Sequence, residues 1–200
     1  MRTRDMALVA LFAALVAVLA QISIPLPFSP VPITGQVLGV FLAGAILGKN
    51  RGTLAMAVYL LLGAIGLPVF ARGGAGLAAC VSPSGGYLWG FILGVYSMGL
   101  VLERGKGEPG YGRTAAAMLL GLAVVYLLGT LQLSYLLHLN LLKGLLLGAI
   151  PYLPLDLAKL ALAVTVSLQV RRALGQAGYL PGYRADDPAG IEKNRHPGRV

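Results

Sequence analysis

Charge is what this 200-residue sequence has least of. Asp, Glu, Lys and Arg together make up 12% of it against 57% hydrophobic residues, a balance well outside that of soluble globular domains. None of the four occurs from Met6 to Gly48, from Gly73 to Leu102 or from Thr114 to Leu142. Each run exceeds the roughly 20 residues a helix needs to cross a bilayer, and the first can hold two crossings. The composition therefore excludes a soluble fold and predicts an integral membrane protein.

Other scarcities narrow the chemistry. A single cysteine, Cys80, excludes an intramolecular disulfide and a cysteine metal cluster, and among apolar neighbours it reads as a small packing residue. His138 has no partner at metal-ligand spacing and reads as an interfacial residue. No metal or organic cofactor is expected. The chain has no Gly-x-x-x-x-Gly-Lys-Ser/Thr phosphate loop, so it does not hydrolyse ATP by that route. The net charge of +9 comes from Lys and Arg between the apolar runs and near the C-terminus, not from one continuous basic surface. That distribution excludes nucleic acid as a partner and makes the cations topology signals.

What is present reads as six spans. Span one, about Met6 to Ile24, follows Arg2 and Arg4; it lacks a clear cleavage site after a short apolar core, so it is a helix and not a signal peptide. Its Ala10-x-x-x-Ala14 and Ala13-x-x-x-Ala17 spacings permit close approach of another helix, although alanine is also simply common in such helices. Pro25, Pro27, Pro30 and Pro32 then rule out a regular helix, and this uncharged apolar loop is expected to act as a lid over a pocket or at the interface. Span two is Thr34 to Gly48 and span three Gly52 to about Phe70. A glycine-rich segment holding Arg72 follows, and Ser82-Pro83 resembles a helix start. Span four is Ser84 to Leu102, with Gly86, Gly90 and Gly94 as a ridge. Span five runs from Thr114 to about Leu137, and Leu141 to Ile150 is too short to cross. Span six runs from Leu155 to about Arg171. Residues 1–174 are thus a membrane domain and 175–200 a polar, poorly ordered tail.

Arg2, Arg4, Lys49, Arg51, Arg104, Lys106, Arg113, Arg171 and Arg172 fall on one side of this arrangement, with Arg72 and Lys143 on the other. The bias predicts both termini in the cytoplasm and places the proline loop, the glycine loop and the start of span six on the outer side. There Asp156 and Lys159, three apart on one helix face, put two opposite charges into a membrane span. Such charges cost about 2.5 to 3.5 kcal/mol each on insertion scales, which makes a functional role the default. Asp156 has a second reading as the cap of its helix, with Lys159 as its partner. Arg72 suits a carboxylate or simply snorkels to water. Gln36 is a ligand contact or interhelical glue, and Tyr87, preceded by Gly85 and Gly86, is a pocket residue or part of an aromatic belt. No second carboxylate or Ser/His pair lies on that side, so an enzyme is not expected.

The ordered set Val31-Pro32-Ile33-Thr34-x-Gln36, Gly63-Ala64-Ile65-Gly66-Leu67-Pro68-Val69-Phe70, Pro83-Ser84-Gly85-Gly86-Tyr87 and Leu153-Pro154-x-Asp156-x-x-Lys159 closely resembles the BioY family, from about Thr3 to Arg172. These are biotin-specific substrate-binding (S) components of energy-coupling factor (ECF) transporters. The resemblance implies an all-α bundle of six transmembrane helices with an extra short helix before the last span, in a bacterial or archaeal cell membrane. It implies biotin bound near the outer face under the loop between spans one and two, with Asp156 and Lys159 in the site. It also implies docking through Ala10, Ala13, Ala14 and Ala17 onto a transmembrane coupling protein driven by ATPase subunits. The family's Gly-Gly-x-Gly-Gly pattern is replaced here by Arg72-Gly73-Gly74-Ala75-Gly76, so Arg72 as carboxylate partner rests on its chemistry and not on the resemblance. A solitary or oligomeric biotin transporter, and an S component for thiamine or riboflavin, are the alternative readings.

Overall fold

The computed structural model describes residues 3–104 and 108–176. Long apolar runs become long helices: α1 (Thr3–Gln21), α5 (Gly85–Arg104), α6 (Tyr111–Leu136) and α8 (Leu153–Gln176). Each contains a stretch long and apolar enough to cross a membrane. Between α1 and α5 lie α2 (Gln36–Leu42), continuing as a π-helical segment over Ala43–Leu47, and α3 (Gly48–Ala64). The chain turns from one into the other at Gly48, whose φ of +74° suits a residue without a Cβ. The short helices α4 (Leu77–Cys80) and α7 (Leu141–Gly148) sit in the connections. In α7 the Asn140 side chain accepts from the Lys143 amide at 2.8 Å, which starts the helix.

The proline loop is not irregular. Ser23–Leu26 (β1) and Ser29–Thr34 (β2) form an antiparallel hairpin with Ser23 opposite Thr34 and Ile24 opposite Ile33, so the fold is mostly helical and not all-α. Pro25 in β1 and Pro30 and Pro32 at alternate positions of β2, with Pro27 in the turn between the strands, are compatible with this because a two-stranded ribbon is all edge, and every second N–H of an edge strand has no ladder partner to lose. The last helix also starts two residues earlier than the prolines suggest, at Leu153. Pro154 lies in its first turn, where a missing N–H costs nothing. Because α8 runs to Gln176, the expected domain boundary at 174 falls inside a helix; residues 177–200 of the expected tail lie outside the described residues.

Helix packing follows the small residues. Cβ atoms added at Gly86, Gly90 and Gly94 would stand 2.4, 2.8 and 2.9 Å from backbone atoms of α6, so this ridge is the seam along which α5 and α6 touch. At one end of the bundle Arg51 pairs with Asp5 at 3.1 Å, Lys49 with Glu103 at 3.6 Å and Arg171 with Glu108 at 3.1 Å. Arg113 donates to the carbonyls of Val101 and Leu102. The expected clustering of cations is met there for the described residues; Arg2 and Lys106 lie outside them. The hairpin, the 65–80 connection and α7 occupy the opposite end.

Candidate functional site

The site is assembled on α8. Asp156 lies in its first turn, already helical, and its amide donates to the Tyr152 carbonyl at 2.9 Å. The carboxylate does not cap the helix. It is buried and accepts from Lys159 Nζ at 2.7 Å through Oδ1 and from Tyr126 Oη at 2.7 Å through Oδ2. Lys159 donates a second bond, 2.6 Å, to the Thr34 carbonyl at the end of the hairpin. An ammonium has three donors and a carboxylate about four acceptor positions, so both groups keep capacity for a further polar partner.

Asp156, Lys159 and Tyr126 face a cavity of about 240 Å³. Its other walls come from the hairpin (Val31, Ile33), the α3–α4 connection (Phe70) and α5 (Leu88, Phe91). The space thus has one charged, hydrogen-bonding corner in mostly apolar walls, with Thr34, Gln36, Ser84, Tyr87 and Tyr152 as further polar lining, the usual composition of a small-molecule site.

Buried hydroxyls hold this geometry. Thr34 Oγ1 donates to Gln36 Oε1 at 2.9 Å, Gln36 Nε2 donates to Tyr59 Oη at 2.6 Å, and Tyr59 Oη donates to the Val69 carbonyl at 3.1 Å. This chain of bonds links hairpin, α2, α3 and the 65–80 connection, where the Tyr59 and Phe70 rings also meet edge to face at 5.6 Å. Tyr152 Oη shares its proton between the Val31 carbonyl (2.6 Å) and Ser29 Oγ (2.8 Å), while Ser29 donates to the Leu147 carbonyl at 2.9 Å. Burial pushes the Tyr152 phenol up from its ordinary range, so it acts as a neutral donor. Tyr87 Oη donates to the Gly148 carbonyl at 2.7 Å and anchors α7.

Of the residues singled out from sequence, Asp156, Lys159, Gln36 and Tyr87 line the cavity together. Both ends of the Gln36 amide are engaged with protein, so it is glue as well as wall. Gly86 does not line the cavity: it packs on Leu128 and Gly129 of α6, where a side chain has no room. Arg72 is exposed, with φ +61°, and lies outside the lining although its neighbours Ala71 and Gly74 are part of it. Tyr126, Tyr152 and Tyr59 went unassigned in the sequence. The available signal was physical: a phenol within an apolar helix must find an acceptor.

The alanines of α1 also divide. Ala10 and Ala14 are exposed, whereas Ala13 is buried in the bundle and Ala17 is half-buried. Only Ala10-x-x-x-Ala14 presents a fully outward small-residue face.

Compared with known proteins, residues 1–176 match the BioY family. The chain belongs to that family. A BioY relative from Thermotoga maritima, named a biotin transporter, is 44% identical over 162 residues, covering 81% of this chain and 92% of its own. The biotin transporter BioY of Rhizobium etli is 41% identical over 177 residues, covering 85% and 94%. A probable biotin transporter BioY of Pyrococcus horikoshii is 40% identical over 167 residues, covering 84% and 96%. The crystal structure of the S-component for biotin from an ECF-type ABC transporter superposes with a TM-score of 0.79 at 28% identity, covering 86% of this chain and 95% of that one. BioY proteins are thus named as transporters and not as enzymes, and this BioY chain carries several membrane-length apolar helices.

Proposed function

We propose that this protein is the biotin-binding S component of an ECF-type uptake system, capturing biotin on the outer side of the cell membrane and delivering it with an ATP-driven coupling module. The observation that carries the reading is the buried Asp156–Lys159 pair at the charged corner of a mostly apolar cavity. A cyclic urea offers N–H donors to a carboxylate and a carbonyl acceptor to an ammonium, and a fused apolar ring with an alkyl tail suits the remaining walls. The relatives named as biotin transporters and the S-component likeness support the same ligand. Arg72, exposed beside the lining residue Ala71, is assigned the carboxylate of the ligand.

In this reading the chain crosses the membrane six times, with the π-extended α2 and α3 as the shorter crossings, and the cation-rich end faces the cytoplasm. Ala10 and Ala14 receive the coupling protein. Purified protein should bind biotin, and excess unlabelled thiamine or riboflavin should not displace it. Displacement by either would assign the pocket to a different vitamin. Uptake undiminished in cells lacking the coupling protein and ATPases would instead favour a solitary transporter.

A further inference from the structure

Tyr87, Tyr126 and Tyr152 line the cavity and Tyr59 stands behind its wall residue Gln36, and the four hydroxyls are used differently. Tyr59, Tyr87 and Tyr152 donate to the backbone carbonyls of Val69, Gly148 and Val31, bonds that fasten one element to another. Tyr126 donates instead to the Asp156 carboxylate, at 2.7 Å from Oδ2, while Lys159 occupies Oδ1. With one donor on each oxygen the carboxylate plane is fixed, and its remaining lone pairs are directed by the protein before any ligand arrives. Tyr126 itself lines the cavity and is only half-buried.

We infer that Tyr126 is a positioning residue that sets specificity by aiming the Asp156 carboxylate at paired N–H donors of the ligand head. This rests on the biotin reading above and deepens it. A carboxylate held from both oxygens cannot rotate to meet a head that lacks N–H groups, and it cannot donate to one. Freed on one side, it turns, and the orientation that favours a urea is lost as a fixed property of the site.

The test measures binding of biotin and of a ring-N-methylated biotin, which lacks an N–H donor, to the full-length protein and to Tyr126→Phe. The hydroxyl bonds a charged group, so Tyr126→Phe is expected to weaken biotin about tenfold or more. The methylated analogue should change little, so that discrimination between the two falls. Equal losses for both ligands, as a purely structural role would give, or an unchanged biotin affinity, would overturn the inference while leaving the biotin reading intact. Failure of the unaltered protein to bind biotin would overturn both. Should Tyr126→Phe not fold, infrared spectra of the unaltered sequence carrying isotope-labelled tyrosine at 126 decide the matter. A phenol C–O band that shifts when biotin saturates the protein is expected, and an unmoved band contradicts the role.

Discussion

Lys159 on α8 donates a 2.6 Å hydrogen bond to the backbone carbonyl of Thr34 at the end of the hairpin. The ammonium that pairs with Asp156 inside the cavity thus also holds the segment that covers it. In the proposed reading one group both meets the ligand and tethers the hairpin, so changes at the polar corner should register in the hairpin.

Lys159→Met should cost about 3 kcal/mol, because it strands the buried Asp156 carboxylate with Tyr126 as its remaining described donor. Adding Asp156→Asn removes the uncompensated charge and should recover much of that stability without restoring binding. Thermal unfolding of the single and double variants in detergent checks both halves. Additive losses would show that the pair is not coupled.

Tyr152→Phe should loosen the hairpin while leaving the bundle standing, since among the described residues its hydroxyl bonds Val31 and Ser29. A net loss of about 1 kcal/mol is expected. Hydrogen exchange should quicken at the amides of β1 and β2 and not in α5 or α6, and bound ligand should leave several-fold faster. Uniform loss of protection across the bundle would contradict a local latch.

Gly86→Ala and Gly112→Ala make a matched pair. The first puts a Cβ 2.4 Å from the Leu128 carbonyl oxygen; the second meets nothing within 4 Å. Gly86→Ala should destabilise by about 1–3 kcal/mol through overpacking of the α5–α6 seam. Gly112→Ala should be neutral or raise stability by up to about 1 kcal/mol from helix propensity. Thermal midpoints of the two variants measure the difference, and a neutral Gly86→Ala would return that glycine to the list of candidate ligand contacts.

On α1, Ala14→Trp alters an outward position and Ala13→Trp a buried one. The first should leave ligand binding unchanged and abolish co-purification with a coupling module; the second should prevent folding. Pull-down with co-expressed coupling subunits, alongside ligand binding, separates the two effects.

Much of this arrangement was legible in the residues. Uncharged runs place α1, α5 and α6, the glycine ridge foretells the α5–α6 seam, and a charge pair in an otherwise apolar span marks Asp156 and Lys159 on α8. The hairpin was harder to see because proline argues against a strand by removing donors; only the Pro30-x-Pro32 spacing within β2 fits an edge strand. Asp156 was readable as a helix cap until the backbone placed it inside the helix with its carboxylate turned toward Tyr126. That partner lies 30 residues away on α6, and no local pattern encodes a contact set by how two helices cross. Arg72 shows the reverse: its chemistry suits a carboxylate, but a left-handed turn in a glycine-rich connection leaves it exposed outside the cavity wall.

In the proposed reading the Asp156–Lys159 corner binds biotin. Calorimetric titration of the detergent-purified protein with biotin, repeated on Asp156→Asn and Lys159→Ala variants that retain their thermal transitions, checks this. Saturable one-site binding by the unaltered chain and a loss of about a hundredfold or more in each variant are expected, because a buried hydrogen-bonding partner is removed from a polar head. Undiminished binding by both variants would contradict it.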